Sequence, residues 1–274
     1  MNQELENYQH IEVEQTDRIA TIWLNRPRYR NAQSRLMLNE MTDAFRKLDY
    51  DNSVKVIILA GRGDHFSAGH DLGTPEELED QATLPYGKGT VANVNRSWHL
   101  FIENSLRWRD VKKPTIAAVQ GYCIFGGLMI ASCMDVIVAS KNAKFLPSHV
   151  QLFNAPWDLG IRKAKQILFE NRFIDADEAL DLGLVSEVTE DGDHYEAAFA
   201  QAQRFAENSL LTLRMLKHSI NSAQDAMGYR QHIEASHSNY MMMHMAQEIS
   251  QADAGIADRQ LSGVADALRK EEDG

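Results

Sequence analysis

At 274 residues, with 44% hydrophobic and 24% charged side chains, the chain is long enough to bury a large core and reads as an ordinary globular protein. A formal net charge of −11 argues against nucleic acid or an anionic membrane as the main partner, although local basic clusters can still bind phosphates. The two cysteines, Cys123 and Cys133, sit in an apolar stretch and read as buried thiols rather than a disulfide or metal site; without a signal-like start or a membrane-spanning run, a cytoplasmic address is expected.

Residues 10–13 and 19–24 read as two strands of a hairpin turning near Asp17, and Pro27 ends the second because proline cannot continue a ladder. Arg26, Arg28 and Arg30 then crowd one loop, which is either a phosphate clamp or simply solvated. Ser34 can cap a helix running to about residue 49, with Leu36, Met37, Met41, Phe45 and Leu48 at helical spacing. The near-continuous apolar run 54–60 suits a strand covered on both faces. Small residues from Ser67 to Gly69 follow its C-terminal end, where a backbone can approach a ligand. An acidic, turn-rich flap is expected over 73–89 and a helix over about 91–108.

The centre of the chain is the stretch 114–140, which carries no charge between Lys113 and Asp135. A strand over 115–119, a turn at Gln120-Gly121-Tyr122, the pair Gly126-Gly127, an apolar segment 128–134 and a strand 136–139 follow in turn. If the segment after the glycines is a helix, its first N–H groups lack partners within it and favour negative charge. Two readings stay open: a site for an oxygen that becomes an oxyanion, or a buried helix whose glycines serve close packing. Beyond it, a short helix over 175–182 closed by Gly183, a strand 185–188 and three helices at roughly 195–207, 209–225 and 228–251 are expected. The division is 1–193 as core and 194–274 as a helical region for oligomer contacts, with Met241-Met242-Met243-His244-Met245 as an adaptable packing face.

Several motifs, in order and at consistent spacing over residues 10–190, resemble the crotonase (enoyl-CoA hydratase/isomerase) superfamily. They are Ile22-Trp23-Leu24-Asn25-Arg26-Pro27 with Asn31-Ala32, Val56-Ile57-Ile58-Leu59-Ala60-Gly61 with Phe66-Ser67-Ala68-Gly69-His70-Asp71-Leu72, Lys113-Pro114-Thr115 through Gly126-Gly127, and Ala179 with Gly183-Leu184-Val185. The resemblance implies an α/β fold, a crotonase-like spiral of ββα units with a C-terminal α-helical oligomerisation region forming trimers or hexamers. It also implies an acyl-CoA thioester substrate, with coenzyme A as part of that substrate, no separate cofactor and no metal. The thioester oxygen would sit between the backbone N–H groups of His70 and Gly126. CoA would be met by Arg26, Arg28 and Arg30 and by Ala32, Ala68, His70, Asp71 and Leu72.

In the acid and base positions the chain departs from hydratases of that family, whose two glutamates align with Met129 and His149. Neither is a carboxylate, and a methionine can neither activate water nor move a proton. Asp158 stands nine residues after His149, and a histidine with a carboxylate partner is a general base. The spacing resembles that of oxocamphor hydrolase, a family member that cleaves a carbon–carbon bond. Three activities follow as expectations: an enoyl-CoA hydratase/isomerase-like enzyme with atypical acid and base groups, a hydrolase of a cyclic β-keto acyl substrate using His149 and Asp158, or a non-catalytic acyl-CoA binding protein.

Overall fold

The computed structural model describes residues 3–4, 8–83, 87 and 89–254; part of the expected flap (84–86 and 88) and the last part of the expected helical region (255–274) lie outside the described residues. Strand β1 (Gln3–Glu4) pairs antiparallel with β2 (Ile11–Thr16), and β2 forms a hairpin with β3 (Ile19–Leu24) through a turn in which Asp17 takes a φ of 53°. From β3 onward the sheet is parallel. β4 (Val56–Gly61) lies beside β3 with Gly61 opposite Leu24, and β5 (Thr115–Val119) lies beside β4. The β6 strand (Tyr122–Ile124) leaves this sheet, and β7 (Val136–Ser140) rejoins it next to β5. A second, three-stranded sheet combines β6 with β8 (Lys144–Leu146) and β9 (Ile174–Asp175), while β10 (Glu187–Thr189) closes the larger one in the order β1-β2-β3-β4-β5-β7-β10.

Because β3, β4 and β5 run in one direction, the loops after their C-terminal ends gather at one edge, where α/β sheets place ligands. β3, β4 and β5 are buried along their whole length, which explains their unalternating apolar sequences. On one face the core is built from Met37, Met41, Phe45 and Leu48 of α1 (Arg35–Tyr50), together with Trp108 and Met129. Ser34 caps α1 as expected, its Oγ accepting from Met37 N. The flap folds into α2 (Pro75–Ala82), capped by Thr74. The expected helix near 91–108 is continuous but not uniform: α3 (Thr90–Ser97) passes through a π-helical turn (Trp98–Glu103) into α4 (Asn104–Arg109). Helix α5 (Gly126–Ala131) is buried on every side.

Short helices α6 (Ala155–Asp158), α7 (Ile161–Glu170) and α8 (Ala176–Asp181) follow, then α9 (His194–Ala206), α10 (Leu210–Ala226) and α11 (Tyr229–Ala254). Two expectations are corrected. The last strand begins at Glu187, not 185, because Leu184 N and Val185 N still bond back to Ala179 O at the end of α8. Residue 193 does not separate the core from an appended layer, because Ala198 and Ala202 of α9 pack on the second face of the sheet with Ile58, Ala60, Ile116 and Val138. Without α9 that apolar face would meet water. Both cysteines are buried thiols, and burial drives Cys123 well up and Cys133 to about 12.

Candidate active site

Three loops meet at the C-terminal edge of the sheet. The first, after β3, is knotted by Asn31, which takes a φ of 53°; its Oδ1 accepts from Arg26 N at 2.9 Å, and its Nδ2 donates to Arg62 O at 2.9 Å and His65 O at 2.8 Å. The second, after β4, runs through Ser67, Gly69 and His70, bridging Gln33 on one side and Cys123 on the other. The third leads from β6 into α5 through Phe125, whose φ of 47° is a costly conformation for a bulky residue.

Two peptide planes decide which way the site's amides point. Gly69 O accepts from Gln33 N at 2.8 Å, and in a trans peptide the N–H lies opposite the C=O, so the His70 N–H points away from Gln33. Phe125 O likewise accepts from Met129 N at 2.9 Å, so the Gly126 N–H points out of the N-terminal end of α5. Among the described residues neither N–H donates to a protein acceptor. The two segments touch: a Cβ on Gly69, which has a φ of 93°, would lie 2.8 Å from Ile124 O and 3.2 Å from Gly126 N.

The His70 ring is partly buried and held from several sides. Its Nδ1 lies 3.1 Å from Gln33 Oε1, its Nε2 lies 2.9 Å from Gln151 Oε1, and Phe101 from the π-helical turn packs 4.1 Å from it, centroid to centroid. Burial pushes its pKa down to about 4, outweighing the contact with Gln151, so the ring is neutral at physiological pH. Gln33 and Gln151 are site residues that sequence reasoning missed, and nothing in their local pattern distinguishes them from surface glutamines.

Of the carboxylate and imidazole candidates, the structure does not bring His149 and Asp158 together. His149 is half-buried, edge-on to Phe153 at 4.8 Å and Tyr240 at 6.0 Å. Burial lowers its pKa, opposed by a hydrogen bond to the backbone of Ser236 on α11. Asp158 instead lines a cavity of about 20 Å³, room for about one water, with Met129, Ser132, Leu128, Asn154 and Leu159. Burial raises its carboxyl to about 7, tempered by the nearby Ser132 hydroxyl, which is buried without a partner of good hydrogen-bond geometry. The following helix α7 is capped by Gly160 with no side-chain bond, so Asp158 is not tied up as its cap. Met129 is buried against the same cavity and brings no ionisable group.

The three arginines part company. Arg26 is buried and committed within the protein: its Nη1 donates to Ala32 O at 2.6 Å and Asp71 Oδ2 at 2.8 Å, and its Nη2 donates to Thr74 Oγ1 at 3.1 Å and Glu76 Oε2 at 2.7 Å. It therefore staples the loops to the flap and is not available as a phosphate clamp. Burial works to raise the Asp71 carboxyl, but bonds from Thr74, Arg26 and Gly73 overcome this and hold it low. Its side chain is likewise spent inside the protein. Arg28 and Arg30 are exposed, and among the described residues neither meets a carboxylate; they lie over the rings of Tyr29 and Tyr122. Ala68 N donates to Arg30 O at 2.9 Å, and Leu72 is 59% exposed at the rim. The flap is latched by Arg26–Glu76 and by Arg35–Asp80.

Residues 14–257 match the family model described as enoyl-CoA hydratase/isomerase, and the chain belongs to this family, in the crotonase superfamily. EchA13 of Mycobacterium tuberculosis, an enoyl-CoA hydratase by name, is 38% identical over 243 residues, covering 81% of this chain and 76% of the relative. A 4-chlorobenzoyl coenzyme A dehalogenase of an Arthrobacter species is 35% identical over 198 residues, 67% of each chain. A crystal structure described as a probable enoyl-CoA hydratase from Mycobacterium thermoresistibile superposes with a TM-score of 0.79 at 35% identity, covering 86% of this chain and 97% of that one. The crotonase fold is thus established, and no helix among the described residues is long and apolar enough to cross a membrane.

Proposed function

We propose that this crotonase-superfamily enzyme binds an acyl-CoA thioester, holds its carbonyl oxygen between the backbone N–H groups of His70 and Gly126, and moves protons with Asp158 in place of the usual glutamates. The observation that carries the reading is the pair of uncommitted amides on touching loops, one turned away from Gln33 and the other turned out of α5. As the α-carbon of the acyl group loses a proton, the electron pair moves onto the thioester oxygen, and two preset donors stabilise that charge. Asp158 takes the proton, since a carboxyl raised to about 7 is poised to accept and return one near neutrality.

The CoA phosphates are assigned to Arg28 and Arg30, the exposed cations of the first loop. The acidic wall of Glu76, Glu77, Glu79 and Asp80 across the neighbouring cleft disfavours a phosphate deep inside it and favours the rim. Ala32 of the first loop, with Ala68 and Leu72 of the loop after β4, are the neutral contacts. Self-assembly as a trimer or hexamer is proposed through α10, where Leu211, Met215, Leu216 and Ile220 are each more than half exposed.

The carbon–carbon hydrolase using a His149–Asp158 pair is not favoured, because the two side chains face different surroundings. A non-catalytic binding protein would have no use for a raised carboxyl beside the central helix. The test is a panel of straight-chain, β-keto and aromatic acyl-CoA thioesters, the last included because relatives bear the name 4-chlorobenzoyl-CoA dehalogenase. Thioesters should bind and at least one should turn over. Crotonyl-CoA should be hydrated far more slowly than by a two-glutamate hydratase, and failure of every thioester to bind would sink the reading.

A further inference from the structure

We infer that Gln33 and Gln151 are positioning residues: through the ring of His70 they fix the His70 N–H beside that of Gly126. The inference rests on the proposed oxyanion role of those two amides.

The three residues come from three different loops. Gln33 precedes α1, His70 follows β4, and Gln151 belongs to the segment between β8 and α6 that runs on to Asn154 and Asp158. A ring held at both nitrogens, at 3.1 Å and 2.9 Å, cannot rotate without losing a bond. The main chain is tied in the same place: Gln33 N donates to Gly69 O at 2.8 Å and Asp71 N to Gln33 O at 3.0 Å, bracketing His70 on both sides. The ring also presses on the second donor, since a Cβ on Gly126 would come within 2.7 Å of its Cε1 and Nδ1 and 3.0 Å of Gln33 Oε1. Moving the ring therefore moves one wall of both amides.

Proton placement follows from the hydrogen-bond inventory. A neutral imidazole donates from one nitrogen and accepts at the other, so one glutamine must present its NH2 to the ring. Gln33 is fixed in orientation: its Nε2 stands 3.3 Å from Ser67 Oγ, and the Ser67 proton goes to Asn31 O at 2.8 Å, which leaves that hydroxyl an acceptor. Gln33 Oε1 thus faces the ring and His70 carries its proton on Nδ1. Among the described residues no hydrogen bond holds the Gln151 NH2 elsewhere, so Gln151 turns to donate to Nε2. His70 is not an acid or base here; its ring is a spacer with one proton and one lone pair, each assigned.

The test uses the carbonyl stretch of a bound saturated acyl-CoA, such as butyryl-CoA, which falls in frequency when the oxygen is hydrogen-bonded. In the wild-type protein the band should be shifted from its position in water. Gln33→Ala and Gln151→Ala should lose much of that shift and about tenfold or more in kcat, with KM and the dissociation constant of CoA nearly unmoved. Gln33→Glu, which keeps an acceptor on Nδ1, should restore most of the shift; it also serves if an alanine variant fails to fold. Labelled-histidine NMR should find His70 protonated on Nδ1 in the wild type. If the wild-type band is unshifted, the oxyanion reading falls and this inference with it. If the band is shifted and both glutamine variants keep the shift, the oxyanion reading stands and the positioning role is wrong.

Discussion

The ring of His70 occupies the ground that a side chain on Gly126 would need: a Cβ there would stand 2.7 Å from two of its atoms, and the ring could not move aside without unmaking its bonds to Gln33 and Gln151. Glycine at 126 is thus required by a neighbour's side chain. Gly126→Ala keeps its N–H but displaces the ring; it should fold and lose about tenfold or more in kcat, as the glutamine variants do. Gly127→Ala should instead fail at folding, because its Cβ would lie 2.3 Å from the backbone Ser67 O, which cannot yield like a side chain. Soluble yield, melting temperature and turnover separate the two.

Asp158→Asn should cost about 10²–10⁴-fold in turnover while acyl-CoA binding persists. The same variant should be more stable than the wild type at pH 8. A carboxyl raised to about 7 when folded binds more protons than its unfolded counterpart between about pH 4 and 7, so its contribution to stability is lost as pH rises through that window. Differential scanning calorimetry at pH 5 and pH 8 reads the effect: the variant's advantage should be clearly larger at the higher pH.

The activity itself should carry the same group. With Asp158 as proton acceptor, kcat/KM should climb with pH and level off above an inflection near 7. Asp158→Asn should leave no such inflection in its residual rate. An unchanged inflection in that variant would assign the titration elsewhere.

His149→Ala should retain activity within about tenfold, since a half-buried ring packed on Phe153 and Tyr240 supports the loop rather than the chemistry. Loss of all turnover with CoA binding intact would return the carbon–carbon hydrolase to the front.

The arginines should divide by burial. Arg26→Ala leaves Asp71 and the loop carbonyl of Ala32 without their partner and should destabilise the fold by about 3–5 kcal/mol, read as a lower melting temperature. Arg28→Ala and Arg30→Ala should leave stability within about 0.5 kcal/mol, while each weakens acyl-CoA binding by about tenfold if it holds a phosphate through a charge-assisted bond. Titration calorimetry with CoA itself distinguishes them. Equal affinity in all variants would reject the assignment.

By itself the sequence determined the order of the main elements, the buried parallel strands, the Ser34 cap and the motifs that identify the family, because these depend on local periodicity, capping and spacing along the chain. Only the tertiary structure decided which neighbours each polar group has. Arg26 and Arg28 are two residues apart, yet one is locked between Asp71 and Glu76 and the other faces solvent. His149 and Asp158 share a segment but face α11 and the central cavity respectively. Gln33 and Gln151 gain significance only because His70 is carried between them. Burial, hydrogen-bond partners and pKa are properties of contacts made across many residues of intervening chain, and spacing along the sequence does not encode them.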